Sequence, residues 1–358
     1  MIWKKILFIF NPVAGRSLIR NNLCEIIEVL SGSGFEVVCY PTRAKGDARR
    51  VARERMGDYL YVVCAGGDGT LDEVVSGMME NPDKPFVPIG YIPAGTTNDF
   101  ANSLQIPTDL IQAAEVVTTG RTFRCDMGLF NDSDYFTYVA AFGLFTGTSY
   151  QTPQDLKNQL GHFAYILQGL TELGQMRAYR MHVTAVRPDK KQLDTKQRNT
   201  KTDQENTVQG TAMRDLAGQE SDEQETAGQE PDLIEVDGEF AYGMVTNSYS
   251  IGGFPNITGN HVDLQDGLFE VTLIHMPQNP LEVSEILLTL SNPEAESSMI
   301  ETFKTSHVTL TCDEQVSWTR DGEFAGSHKT VEIRIRNRQL RILVPRTFAD
   351  PVESSSLF

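Results

Sequence analysis

Three short polar segments follow apolar runs in the first hundred residues, and each could bind a phosphate group. They are NPVAG from Asn11 to Gly15, GGDGT from Gly66 to Thr70, and PAGTTNDFA from Pro93 to Ala101. Their glycines let the backbone approach a ligand closely, and amides at the start of a following helix favour an anion. Asp68 has the opposite preference, because a carboxylate beside phosphate is repulsive unless a cation lies between them. GGDGT therefore indicates a metal–nucleotide site, with an ordinary strand–helix turn as the alternative.

PAGTTNDFA places consecutive polar side chains at a predicted helix start. The group offers hydroxyl, amide and carboxylate functions: Thr96, Thr97, Asn98 and Asp99. A helix N-cap would explain one of them, because Thr, Asn and Asp are common capping residues. The others indicate a ligand, to which Asn11 could also hydrogen-bond. The motifs GxxxxGK[ST] and GxGxxG are absent, so the sequence predicts neither a P-loop nor a dinucleotide fingerprint.

Two acidic turns follow much later in the chain. DLQDGLFEV carries Asp263 and Asp266, and TRDGEFAG carries Asp321 and Glu323. An Asp–Gly pair between strands is commonly a hairpin turn. Glu323 adds a repulsion that a bare turn does not need, and a cation or a positive partner would relieve it.

The elements that must position these segments alternate over residues 1–121. The runs KILFIF, FEVVCY, YLYVVCA and VPIGYIP predict buried strands, whereas SLIRNNLCEIIEVL, GDARRVARERM, TLDEVVSGMM and TDLIQAAEVVTTG predict helices. This alternation is typical of an α/β domain with a mostly parallel sheet. Ligands of such sheets bind where strands end and helices begin, which is where the three polar segments lie.

Residues 122–345 are strand-rich and predict a second domain. YFTYVAAFG, AYRMHVTAV, FAYGMVTNSY, GLFEVTLIHM and TVEIRIR are among its strand-like segments, and helical spacing interrupts them near 155–173 and 281–290. The pattern favours an antiparallel β-sandwich or barrel. Within it, residues 188–232 are too polar to bury a core and predict a disordered insertion between two strands. Residues 346–358 form a tail that can return to the first domain.

Bulk composition excludes several classes of protein. The 358 residues are 40% hydrophobic and 22% charged, which is typical of a globular protein. No apolar run approaches the ~20 residues that span a bilayer, so we expect a cytoplasmic protein. The five cysteines and six histidines show no metal-binding spacing. The net charge of -17 argues against nucleic-acid binding.

One predicted helix face is basic although the net charge of the protein is negative. Lys45, Arg49 and Arg53 lie four residues apart and share a face of the predicted second helix. We expect this face to meet an anionic membrane surface peripherally, with a solvated helix face as the alternative.

The motifs taken together resemble a known family. NPVAG, TRAKGDA, GGDGT, PAGTTNDFA, NSYSIGGF, DGLF and DGE occur in this order across nearly the whole chain. The ordered set resembles the bacterial soluble diacylglycerol kinases, lipid kinases related to sphingosine kinases. The resemblance implies an active site between an α/β ATP-binding domain and a β-rich lipid-substrate domain, which agrees with the division made above.

The resemblance also implies roles for individual residues. ATP would be bound by Asn11, Thr42, Gly66, Gly67, Gly69, Thr70, Thr96 and Asn98. The network that orients the catalytic Mg²⁺ would comprise Asp68, Asp99 and Asp266. A second, structural Mg²⁺ would be held by Asp266 with the backbone carbonyls of Asp263 and Leu268. Asp321 would be the general base, with Glu323 beside it.

These roles predict a Mg²⁺- and ATP-dependent lipid kinase that converts diacylglycerol to phosphatidate at the membrane surface. Three alternatives stay open: a kinase for another lipid alcohol (a sphingoid base, a polyprenol or a monoacylglycerol), an NAD kinase, and a non-catalytic lipid-binding protein. The NPVAG and DGE motifs fit lipid kinases better than NAD kinases. A lipid carrier would not need Asp68, Asp99, Asp266 and Asp321 together. The resemblance is also compatible with a homodimer.

Overall fold

The structure is a computed structural model that describes residues 4–81, 86–96, 98–143, 177–189, 232–251, 254–255, 262–291, 295 and 297–348. The helical segment predicted at 155–173 lies outside these ranges, as do residues 190–231 of the predicted insertion and 349–358 of the tail. Thr97 also lies outside them, whereas the residues to which the resemblance assigns a role lie within them.

The amino-terminal part of the chain forms an α/β layer. Its elements are β1 (Lys4–Phe10), α1 (Ala14–Gly32), β2 (Phe35–Pro41), α2 (Asp47–Arg55), a 3-10 turn (Met56–Asp58), β3 (Tyr61–Gly66), α3 (Asp68–Met79), β4 (Ile89–Pro93), α4 (Asp99–Ser103) and α5 (Leu110–Thr119). The four strands pair in parallel in the order β2, β1, β3, β4. Because a parallel sheet is covered on both faces, its strands are continuous apolar runs.

The remainder of the chain is rich in strands. They are β5 (Arg121–Phe130), β6 (Asp134–Phe136), β7 (Val139–Gly143), β8 (Tyr179–Val186), β9 (Leu233–Thr246), β10 (Ser250–Ile251), β11 (Phe254–Pro255), β12 (Phe269–His275), β13 (Ile300–Thr305), β14 (His307–Arg320) and β15 (Glu323–Val344). Helix α6 (Pro280–Ser291) lies between β12 and β13 and confirms the helical spacing predicted there. None of the described helices combines the length and the apolar composition that crossing a bilayer requires.

Strand β15 joins the two parts into one 13-stranded sheet. It pairs with β14 and β5, and near its end Ile342 lies beside Ile89 of β4. A bulge between Arg336 and Leu340 redirects it on the way. The expectation of a mostly parallel sheet therefore holds for β1 to β4, whereas the continuous sheet is mostly antiparallel. The apolar pattern of a sequence predicts individual strands, but it does not predict which strands pair with one another.

Two clusters of buried apolar side chains meet where the active site was expected. Phe8 and Tyr91 belong to the first cluster, which fills the α/β layer and continues into the β-rich part at Met244 and Ile274. Trp318 belongs to the second, which fills the β-rich part. The segment from β6 to β7 contributes to both, because Phe136 packs in the second cluster and Tyr138 in the first.

The closest approach between helices α2 and α3 yields a stability prediction. A Cβ atom on Gly77 would lie 2.0 Å from the Arg49 carbonyl oxygen. We expect Gly77→Ala to lower the free energy of unfolding by ~1–3 kcal/mol, because the helices must separate. Urea denaturation measures this, with Gly32→Ala as the control, since nothing lies within 4 Å of a Cβ at Gly32. Equal stability of the two variants would show that α2 and α3 can accommodate a methyl group at Gly77 without separating.

Candidate active site

Three glycine-containing turns form one surface at the carboxyl edge of the parallel sheet. Ala94 N donates to Gly66 O at 2.8 Å, which joins the ends of β3 and β4. A Cβ on Gly95 would lie 2.8 Å from Gly67 Cα, and a Cβ on Gly15 would lie 2.6 Å from Ala94 O. These glycines are therefore needed for the turns to pack against one another.

The amides at the start of α3 are available to an anion. Gly67 occupies the N-cap position, and no side chain caps the helix. Uncapped amides and the helix dipole together favour a phosphate group. In the neighbouring turn, Asn98 does not cap α4 either. Its Oδ1 accepts from Gly95 N at 2.8 Å and its Nδ2 donates to Gly95 O at 3.0 Å, which fixes the turn instead.

The other candidate ATP residues lie along the same edge. Asn11 follows β1, where its Oδ1 accepts from Val13 N at 3.1 Å. Thr42 follows β2 and donates its amide to Phe10 O at 2.9 Å. Thr96 is exposed directly after Gly95. The residues that the resemblance implies for ATP binding thus lie along one edge of the sheet.

Asp68 is a buried carboxylate in the first turn of α3. Tyr91 Oη lies 3.4 Å from its Oδ1, and the Asp99 amide also donates to it. Burial, and then the charges of Asp99 and Asp321, raise the pKa of Asp68 to about 7. We call Asp68, Asp99 and Asp321 the acidic centre. It joins the α/β layer to the β14–β15 hairpin and carries more negative charge than its surroundings neutralise.

Asp321 is held by four hydrogen bonds in the hairpin between β14 and β15. Its Oδ2 accepts from Thr137 N at 2.6 Å and from Thr137 Oγ1 at 2.8 Å, and its Oδ1 accepts from Tyr138 N at 3.0 Å and Val139 N at 3.1 Å. Burial nevertheless raises the pKa of Asp321. Nothing in the sequence marks Thr137 or Tyr138 as partners, because they precede Asp321 by more than 180 residues.

Asp72 is a second buried carboxylate on α3 that the motifs did not single out. Burial raises its pKa to about 7, with a further contribution from Asp321, while Arg320 and Arg49 oppose the shift. Its spacing of four residues from Asp68 places both on one helix face. This four-residue spacing is the feature by which the sequence could have identified Asp72 as a neighbour of Asp68.

Glu323 lies over the GGDGT turn. Its Oε1 would be 3.2 Å from a Cβ on Gly69, and its Oε2 lies 2.6 Å from Lys45 Nζ. The repulsion expected beside Asp321 is therefore relieved by a positive partner. Both side chains are substantially exposed, so the pair itself contributes little to stability. It does hold the hairpin against the start of α2.

The DG turn at Asp266 forms a separate cluster with Lys304, and the structural magnesium site expected there stays a prediction. Lys304 Nζ lies 2.9 Å from Asp266 Oδ2 and 3.0 Å from Glu270 Oε1. Asp266 Oδ1 accepts from Leu268 N at 3.0 Å, and Asp263 Oδ1 accepts from Gln265 N at 2.9 Å. The carboxylate oxygens of Asp266 are thus engaged by an ammonium and an amide. A metal ion would have to displace them.

The acidic centre fits a catalytic magnesium ion better. The described residues contain no group of three or more His, Cys, Asp or Glu side chains arranged as metal ligands. Mg²⁺ in kinases usually takes one or two carboxylates, with phosphate oxygens and waters as its other ligands. Asp68 and Asp99 could supply these carboxylates, and the raised pKa of Asp68 reports the charge that the ion would neutralise.

The basic face predicted on α2 is neutralised by carboxylates. Arg53 pairs with Glu80 at 3.4 Å, and Arg49 pairs with the same glutamate. Lys45 pairs with Glu323. These ion pairs join α2 to α3 and to the hairpin and lower the positive charge of the face, whose contact with a membrane stays a prediction.

The raised pKa values predict how stability depends on pH. Asp68, Asp72 and Asp126 have native pKa values of about 7 against an ordinary 3.8. Between these values the native state binds more protons than the unfolded state, so its stability falls as pH rises. We expect a larger free energy of unfolding at pH 5 than at pH 7.5, measured by urea denaturation with EDTA. Stability that stays constant or rises over this range would contradict the assigned shifts.

Comparison with known proteins shows a family similarity over the first part of this site. Residues 5–130 match the family model of the diacylglycerol kinase catalytic domain. The match contains the three glycine turns with Asp68 and Asp99, and it ends before Asp266 and Asp321.

Two curated relatives match a similar share of the chain. The diacylglycerol kinase of Staphylococcus saprophyticus subsp. saprophyticus is 42% identical over 176 residues, which are 49% of this chain and 57% of that protein. The diacylglycerol kinase of Staphylococcus carnosus is 41% identical over 174 residues, which are 48% of this chain and 56% of that protein. The chain thus matches little more than half the length of these relatives.

The similarity in fold extends further. A solved structure of a diacylglycerol kinase from Bacillus anthracis str. Sterne superposes with a TM-score of 0.72 at 20% identity, covering 98% of this chain and 99% of that one. This likeness shows a shared α/β fold with a sheet-rich carboxyl-terminal part.

Proposed function

We propose that the protein transfers the γ-phosphate of ATP to the hydroxyl of a lipid alcohol at a membrane surface, because residues 5–130 match the family model of the diacylglycerol kinase catalytic domain. Diacylglycerol is the proposed substrate and phosphatidate the product. The acidic centre carries the proposal. It brings Asp68 at the uncapped start of α3 within electrostatic reach of Asp321, which lies more than 250 residues later.

Phosphoryl transfer depends mainly on positioning and charge neutralisation. The amides at the start of α3 and the packed glycine turns bind the phosphates on the nucleotide side. Mg²⁺, held by Asp68 and Asp99, would neutralise charge on the phosphates when bound. Lys45 keeps Glu323 over the GGDGT turn.

Asp321 accepts the proton of the acceptor hydroxyl. A carboxylate offers about four acceptor positions, and all four on Asp321 are used. Three of the donors are backbone amides fixed by the strand. The fourth is the Thr137 hydroxyl, which can rotate about its Cβ–Oγ1 bond and expose Oδ2 to the incoming alcohol.

Transfer of labelled phosphate from ATP to a panel of lipid alcohols tests the proposal. The panel contains diacylglycerol, monoacylglycerol, a sphingoid base and a polyprenol in mixed micelles, with NAD as a further acceptor. We expect strongest labelling of diacylglycerol. Labelling of another lipid would change the substrate alone, labelling of NAD would replace the proposed function, and no labelling would favour a lipid-binding protein.

A further inference from the structure

Three hydroxyl groups lie around the acidic centre, and two of them have a hydrogen-bond acceptor. Thr137 Oγ1 donates to Asp321 Oδ2 at 2.8 Å. Tyr91 Oη lies 3.4 Å from Asp68 Oδ1 and 3.3 Å from Gly66 O. For the Tyr138 hydroxyl, the described part of the chain supplies no hydrogen-bond partner.

The backbone fixes Tyr138 against the general base. Its amide donates to Asp321 Oδ1 at 3.0 Å, and its carbonyl accepts from Asn247 N at 3.0 Å. Its side chain is 5% exposed and packs in the first cluster, whereas Phe136 packs in the second. The charges of both Asp68 and Asp321 act on its hydroxyl, which therefore lies near the two carboxylates.

The surroundings keep this hydroxyl protonated. Burial and the charges of Asp68, Asp321 and Asp99 raise the pKa of Tyr138 well above its ordinary value. A neutral phenol can donate one hydrogen bond, whereas the ionised carboxylates around it can only accept. Phosphoryl oxygens also only accept.

The Tyr138 hydroxyl is not one of the buried side-chain atoms that lack a partner in the described part of the chain. Because it forms no hydrogen bond with the described residues and is not closed off from solvent, its proton is available to a group that enters the site.

We propose that Tyr138 is a further catalytic residue, whose hydroxyl donates a hydrogen bond to the phosphoryl group as it passes from ATP to the acceptor alcohol. The inference rests on the proposed phosphoryl transfer. Charge develops on the phosphoryl oxygens beside three carboxylates, and a fixed donor there stabilises the transition state more than the ground state.

The test is Tyr138→Phe, which removes one oxygen atom. We expect kcat to fall by ~10–10²-fold with little change in KM for ATP, and the melting temperature to stay nearly unchanged. Tyr179→Phe is the control, because Tyr179 is also buried, at 8% exposure, but packs in the second cluster. This control variant should retain the wild-type kcat.

ADP formation is measured with lipid present and with water as the sole acceptor. The two rates distinguish failure of the Tyr138 proposal from failure of the kinase proposal. Wild-type kcat in Tyr138→Phe would overturn the role of Tyr138 and leave the kinase proposal standing. A lower melting temperature at unchanged kcat would show instead that the hydroxyl holds a structural water. A wild-type chain that transfers phosphate to neither acceptor would overturn both proposals.

Discussion

Asp321→Asn is expected to abolish measurable lipid phosphorylation and also to destabilise the protein. A positioned base typically contributes ~10²–10⁴-fold to the rate, and an amide cannot accept the proton of the acceptor hydroxyl. This loss should appear in kcat, measured with saturating ATP and diacylglycerol.

The loss of stability follows from the hydrogen bonds of the carboxylate. Asn has one acceptor oxygen, so its Nδ2 would face either the two donors of Thr137 or the amides of Tyr138 and Val139. Each donor left unsatisfied costs ~1–3 kcal/mol. The four contacts show that catalysis and stability depend on the same carboxylate.

Asp132→Asn is the matched control for this variant. Asp132 also has a left-handed backbone, with φ of 58° against 46° for Asp321, but its carboxylate pairs with Arg334 at the surface. We expect wild-type activity and nearly wild-type stability. If Asp321→Asn retained a rate within tenfold of wild type, Asp321 would not be the base.

Asp68→Asn is expected to abolish turnover while increasing stability. At pH 8 the Asp68 carboxylate is ionised and buried beside two other aspartates, which opposes folding. Asparagine removes that charge and can still accept from Tyr91. The same change removes a proposed magnesium ligand, so we expect kcat to fall by at least ~10²-fold. The apparent affinity for Mg²⁺ should weaken in parallel.

Asp72→Asn provides the comparison for Asp68. Both carboxylates are buried on α3 with pKa values of about 7, but Asp72 lies one turn further from the phosphate-binding amides. Unfolding at pH 8 should show increased stability for both variants. Kinetic titration with Mg²⁺ should show a defect for Asp68→Asn that Asp72→Asn lacks. An equal loss of Mg²⁺ affinity in both variants would show that the two carboxylates contribute equally to metal binding.

The local elements of the fold were largely predictable. Continuous apolar runs predicted β1, β3 and β4, and the glycine turns after them were expected at strand ends. Helix α6 was predicted from spacing of its apolar residues. These features depend on contacts within a few residues, which a sequence shows directly. The single sheet was not predictable, because one pairing beside Ile342 decides it.

The candidate site divides in the same way. The sequence by itself determined which residue types lie at each turn: the glycines around Asp68, the amide of Asn98, and the carboxylates of Asp266 and Asp321. Only the tertiary structure decided their partners. Lys304 pairs with Asp266, Lys45 pairs with Glu323, and Thr137 and Tyr138 surround Asp321. The charge and pKa of a buried group depend on what folding brings beside it, and several of these partners come from more than 180 residues away in the chain.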